Sequence, residues 1–350
     1  MTDADPPGRY DAVLLLSFGG PEGPDDVLPF LENVTRGRGV PRERLEEVAD
    51  QYLRFGGVSP INEQNRALIA ALRAELDRRG YGGLPIAWGN RNWEPFVEDT
   101  VARLAADGHR RVLALATSAY SSHSSCRQYL EDIERARAGV GDGSPVVHKV
   151  RPYFNHPGFV DAMTERVRDA FAAARDGARL VCSAHSIPES MAATSDYVAQ
   201  LRDVGAQLAR RLDIPDGAGW DLVFQSRSGP PTVPWLEPDV VDHLHALADR
   251  GVNAVVLAPI GFVSDHMEVQ FDLDTLARNA ADELGIELVR ARTVGTHPTF
   301  VAGLVDLLEE HLVGSTPVAT GTLGARVWPC PADCCPAPRR PAAGGPTARR

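Results

Sequence analysis

Lysine is nearly missing from this 350-residue chain: of its 36 basic residues only Lys149 is a lysine. With Ala, Arg, Gly and Pro abundant, this bias reads as the imprint of a GC-rich genome and carries no functional message. Also missing is any run approaching the ~18 uninterrupted apolar residues of a membrane-spanning helix. The opening residues, Met1 to Pro7, have neither the basic nor the apolar region of an export signal, so a cytoplasmic location is expected. There is no excess of positive charge either. The 36 Lys and Arg stand against 47 Asp and Glu, a net charge of -11, which argues against a nucleic-acid partner because phosphates are met by a basic face. Cysteines number five, and in a reducing compartment they point to metal binding or inert burial, not to disulfides.

Their positions are informative. Cys330, Cys334 and Cys335 lie in a Pro-rich tail beyond the last helical pattern, where there is no core to join. Three thiols at that spacing can wrap a soft metal centre, and a fourth would complete an all-cysteine set for zinc or an iron-sulfur cluster. Cys182 sits in the apolar run from Leu180 to Ala184 and reads as a small buried hydrophobe. Cys126 follows a loop-like polar stretch beginning at Tyr120 and is the better fourth ligand. A tail carrying adventitious thiols is the alternative reading.

What is present in quantity is 43% hydrophobic and 24% charged residues, the balance of a globular protein, in a chain long enough for two domains that each bury a core. Short apolar runs recur between amphipathic segments: Ala12 to Phe18, Leu84 to Trp88, Arg111 to Thr117, Arg179 to Ala184, Leu222 to Phe224 and Ala254 to Pro259. That alternation predicts α/β architecture, two Rossmann-like domains, each a parallel sheet flanked by helices, with an inter-domain cleft. Ser59-Pro60 predicts a serine cap and a first-turn proline for a helix running to Arg79-Gly80. The expected division is a disordered start (1–9), a first α/β domain (10–153), a second (154–297), a C-terminal helix packing back with a cysteine-rich segment (298–335), and a disordered tail (336–350).

Ligands of open parallel sheets bind beyond the carboxyl ends of the strands, which directs attention to the residues after each apolar run. His185 follows one such run between small neighbours, leaving room for a ligand to approach its imidazole; the alternative is a core histidine bonded to a carbonyl. Glu268 follows another and opens a segment holding Asp265, His266, Asp272 and Asp274. Four residues apart, Glu268 and Asp272 are expected to share a helix face; a solvated acidic helix start is the competing reading. A histidine facing carboxylates suits ferrous iron held weakly enough to leave again, and the same groups can accept protons. Arg36, Arg38 and Arg91, with Tyr52, Ser59, Tyr120 and Ser121, could hold the carboxylates of an anionic ligand.

Taken together, the segments Phe18 to Pro21, Gly56 to Pro60, Ser183 to Pro188, Gln225-Ser226, Pro234 to Leu236 and Ser264 to Glu268 resemble the ferrochelatases, in order over residues 10 to 312. The likeness is greatest to bacterial coproporphyrin III ferrochelatases of high-GC Gram-positive type, some of which carry a [2Fe-2S] cluster. It implies a chelatase-type fold and insertion of Fe2+ into coproporphyrin III to give the iron porphyrin of heme biosynthesis with release of two protons. His185 and Glu268 are then the inner iron-site pair, extended by Asp272. Tyr52, Ser59, Tyr120 and Ser121 become porphyrin contacts, Arg36, Arg38 and Arg91 the propionate neighbourhood, and Cys126, Cys330, Cys334 and Cys335 the cluster ligands. A porphyrin substrate, a transient iron donor and other heme-pathway enzymes are the implied partners. The pattern departs at Phe18, which offers no donor atom to a porphyrin iron, and at Leu276, where the family's acidic row continues. Competing readings are a protoporphyrin IX ferrochelatase, a cobalt or nickel chelatase, and a non-catalytic tetrapyrrole carrier or solute-binding protein of similar architecture.

Overall fold

A computed structural model describes residues 10–215, 219–229 and 232–338. The disorder expected for 1–9 and for the tail from 339 onward lies outside the described residues. The first unit runs β1 (Ala12–Ser17), α1 (Pro24–Val34), α2 (Arg42–Arg54), α3 (Ile61–Arg78), β2 (Ile86–Asn90), α4 (Val97–Ala106), β3 (Arg111–Ala116), α5 (Gln128–Val140) and β4 (Val146–Lys149). The second runs α6 (Pro157–Ala173), β5 (Arg179–His185), α7 (Glu189–Ala192), α8 (Tyr197–Arg211), β6 (Trp220–Gln225), α9 (Val240–Asp249), β7 (Ala254–Ala258), α10 (Met267–Val269), α11 (Arg278–Leu284) and β8 (Glu287–Arg290), followed by α12 (Pro298–Leu312). Each unit holds one four-stranded sheet, ordered β2-β1-β3-β4 and β6-β5-β7-β8, with every pairing parallel. β1 and β7 are buried at every residue, as strands covered by helices on both faces must be.

Each unit keeps an apolar cluster of its own on one face of its sheet, and a larger cluster is shared between them. The shared cluster runs from Leu15 and Leu113 through Phe159 and Phe300 to Cys182 and Val256, and Tyr120 of the first unit donates its hydroxyl to the Ile260 carbonyl of the second (2.9 Å). α12 packs on both α6 and α3. Gly158 and Gly303 permit that approach, since a Cβ on Gly158 would stand 2.7 Å from the Gly303 Cα. The expected serine cap of α3 does not form: Pro60 is itself the cap residue, and Ser59 is buried against Gly20.

Beyond α12 the chain becomes a pinned strap. Thr320 N–H donates to the Asn155 carbonyl (2.8 Å), Thr322 to Asp203 (2.8 Å from N–H), and the Trp328 indole to the Lys149 carbonyl (2.9 Å). Arg127 then donates to the Ala332 carbonyl (2.9 Å), which holds the cysteine segment beside the helix start bearing Cys126.

Candidate active site

The carboxyl end of β5 delivers His185. Its carbonyl accepts from the Tyr197 hydroxyl (3.0 Å), and its Nδ1 lies 2.5 Å from the Ser186 carbonyl. A carbonyl only accepts, so Nδ1 carries the hydrogen and Nε2 is left for chemistry. Nε2 stands 3.4 Å from Glu268 Oε2, with the two side chains 32% and 47% exposed, so the pair opens to solvent on one side. Glu268 opens the short helix α10, which continues into a π-helical stretch, Gln270–Ala277. π-helical turns are rare and concentrate at functional sites. The wider turn carries Asp272 to the end of β6, where Ser226 Oγ donates to it, and Ser226 takes a left-handed backbone (φ 62°) in doing so.

The charges are unevenly set. Burial opposes ionisation of Glu268, yet the His185 hydrogen bond and charge, with His266 behind them, hold its carboxyl down to about 2. Burial works against the His185 cation too, and the same Glu268 outweighs it, leaving the imidazole above its ordinary value. Burial pushes Asp272 up to about 6; Ser226 opposes the rise and the Glu268 charge adds to it. His266 is lowered, first by burial, with the His185 charge adding to it. The site therefore offers a firmly ionised carboxylate, an imidazole that readily holds a proton, and a second carboxyl poised near neutrality.

The first unit closes over this group. Met267, next to Glu268, packs in an apolar cluster with Val27 and Phe30 of α1 and Leu45 and Tyr52 of α2. Tyr52 is buried in that cluster, and burial, with the Glu268 charge adding to it, raises its pKa.

A family model described as ferrochelatase matches residues 10–312. The chain is 52% identical to the protein named coproporphyrin III ferrochelatase of Streptomyces coelicolor, over 99% of this chain and 98% of that relative. Identity to the relative of that name in Nocardia farcinica is 53% (96% and 99% covered), and to the ferrochelatase of Rhodopirellula baltica 52% (96% of each). The chain belongs to the ferrochelatase family. SirB from Bacillus subtilis with Fe3+ shares the fold, with a TM-score of 0.56 at 12% identity over 87% of this chain and 97% of that one.

The structure places the residues expected from the sequence in different surroundings. The structure brings together His185, Glu268, Asp272 and Tyr52. It withdraws Tyr120, which is 2% exposed, spends its hydroxyl on Ile260 and stacks on Phe154 at 6.0 Å. Ser121 is likewise core, exchanging hydrogen bonds with the Gln200 amide (2.8 and 2.9 Å). Arg91 is a brace: it pairs with Asp132 (2.6 Å), donates to Gln128 and the Ser124 carbonyl, and lies over the Tyr129 ring at 4.2 Å. These three placements share one cause, since a polar residue at a strand end can turn inward when a distant partner satisfies it. Arg36 and Arg38 are exposed in the turn after α1. Ser59 is buried, with its N–H on the Pro21 carbonyl (2.8 Å). Phe18 is exposed at 39% and meets Phe30 edge-on, and Leu276 is exposed at 42%. His266 and Ser226, which the sequence placed in strand-end and family-like segments without giving them a role, also sit beside this group.

The four thiols are gathered but not closed. Cys334 and Cys335 Sγ lie 3.5 Å apart, and Cys330 and Cys335 each feel the charge of Cys126. Burial, then the neighbouring thiols, pushes Cys330 up to about 11. Such a neighbourhood penalises thiolates until a cation joins them. Among the described residues no three His, Cys, Asp or Glu side chains already form a metal-holding group.

Proposed function

We propose that this chain inserts Fe2+ into coproporphyrin III, releasing two protons, with His185 and Glu268 as the central pair and Asp272 beside them. The observation that carries the reading is the 3.4 Å approach of His185 Nε2 to Glu268 at a partly open interface between the two units, in a chain of this family. A porphyrin must lose two ring-nitrogen hydrogens as the metal enters. His185, with Nδ1 fixed on Ser186, takes a proton at Nε2, and Glu268 stabilises the imidazolium that results. Asp272, near 6, passes protons onward at neutral pH, and the ionised Glu268 attracts the incoming cation. Binding energy from the porphyrin's peripheral carboxylates supports distortion of the ring at the reacting centre. Of the three arginines expected there from the sequence, the exposed Arg36 and Arg38 remain for those carboxylates, with Tyr52 and Ser59 on the neighbouring wall.

Four thiols match a [2Fe-2S] centre in donor kind and number, and we assign Cys126, Cys330, Cys334 and Cys335 to hold it. Metal insertion needs no electron transfer, so the cluster would supply stability or redox sensing to the strap. Freshly prepared anaerobic protein is expected to show visible absorption that Cys330→Ser abolishes; a colourless protein containing zinc would overturn this assignment. The same reading sets the protein in the cytoplasm with a transient iron donor and neighbouring heme-pathway enzymes; no described helix is long and apolar enough to cross a membrane. Anaerobic turnover of Fe2+ with coproporphyrin III and with protoporphyrin IX tests the substrate. Faster turnover of the four-carboxylate porphyrin is expected, and a preference for protoporphyrin would refute the choice.

A further inference from the structure

A cavity of about 220 Å³ lies on the seam between the two units, walled by α3, α6 and the loops after β7 and β8. It is too small for a tetrapyrrole. Two buried donors on its lining are unsatisfied: Asn65 Nδ2, on a residue only 1% exposed, and Arg166 Nε. A third donor group, Arg292, stands exposed in the same lining. Among the described residues neither arginine has an ion pair, whereas the one acid in the lining, Asp265, is engaged by Arg290 at 3.2 and 3.4 Å. Glu165, beside Arg166 in sequence, is drawn to His297 (3.2 Å). Buried unsatisfied donors are costly and call for an acceptor; two guanidinium groups and an amide lining a cavity whose one acid is already paired call for an anionic one.

We infer that this cavity is a binding site for a small oxyanion of the phosphate or carboxylate class, held by Asn65, Arg166 and Arg292. Its occupation would join α3 to the segment that carries Glu268, because Asp265 lines the cavity and donates its N–H to Gln64 of α3 (2.9 Å). The inference does not depend on the reaction proposed above. The test is calorimetric titration of the full chain with inorganic phosphate and, separately, succinate at fixed ionic strength. One saturable site is expected for at least one anion, weakened about tenfold or more in Arg292→Gln and in Arg166→Gln, and unchanged in the double variant Arg36→Gln, Arg38→Gln. Arg292 is on the surface, so its variant keeps the test interpretable if Arg166→Gln folds poorly. Absence of saturable binding by both anions, wild-type affinity in Arg292→Gln, or loss of binding in the Arg36, Arg38 variant would each overturn the site.

Discussion

Replacing Glu268 with glutamine keeps the shape of the side chain and removes its charge, so its effect on His185 isolates their electrostatic coupling. At the observed 3.4 Å, opposite unit charges attract by roughly 5 kcal/mol at an effective dielectric of 20. Both side chains are a third to a half exposed, and solvent screening reduces this to about 1 kcal/mol, or roughly one pKa unit. In the variant the burial that opposes the imidazolium is left uncompensated, so the His185 value should fall from above the ordinary histidine value of about 6.5 to below it. Stability follows with a defined sign. A raised His185 contributes below its unfolded value of about 6.5 and loses that contribution as pH rises through its folded value. A depressed Glu268 contributes above its unfolded value of about 4.3 and loses it as pH falls through the folded value near 2. The wild-type advantage over Glu268→Gln should therefore be largest between about pH 4.3 and 6.5, at about 1 kcal/mol, and shrink above that window. Carbon-13 histidine NMR across the titration, with the His185 signal identified by its loss in His185→Asn, measures the shift. An unchanged or raised His185 value in Glu268→Gln would refute the coupling.

Arg91→Gln should lower stability by about 2 kcal/mol, because it removes a buried charged hydrogen bond and leaves Asp132 only its pair with the exposed Arg135, while KM for coproporphyrin III in the folded fraction stays near wild type; chemical denaturation with steady-state kinetics separates a brace from a substrate contact. Tyr120→Phe removes the bond to the Ile260 carbonyl and should cost about 1–2 kcal/mol with little change in KM, read by the same denaturation curve. Ser226→Ala removes the hydrogen bond that favours the Asp272 carboxylate, so the pH dependence of insertion should shift upward as Asp272 rises further above about 6; a profile identical to wild type would separate Asp272 from proton transfer.

Much of this architecture is legible in the sequence because buried parallel strands leave apolar runs, and six of the eight strands announce themselves that way. β4 and β8 do not. Both lie at sheet edges, are only four residues long, and include His148 and Lys149 or Glu287 and Arg290, so half-solvated edges leave no apolar run to read. The π-helical stretches at His123–Arg127 and Gln270–Ala277 are equally invisible, since one extra residue per turn leaves the hydrophobic spacing almost unchanged. The second of them decides how Asp272 reaches the site. His185 and Glu268 were readable from strand-end position. Whether Tyr120, Ser121 and Arg91 faced ligand or core was not, because Ile260, Gln200 and Asp132 lie 140, 79 and 41 residues away in sequence.

The most direct test of the His185–Glu268 pair as the centre of metal insertion is single-turnover formation of iron coproporphyrin by His185→Ala under anaerobic conditions, with coproporphyrin binding followed by fluorescence in the same samples. Insertion should be abolished while the porphyrin still binds with affinity close to wild type. Near-normal insertion by His185→Ala would contradict the assignment.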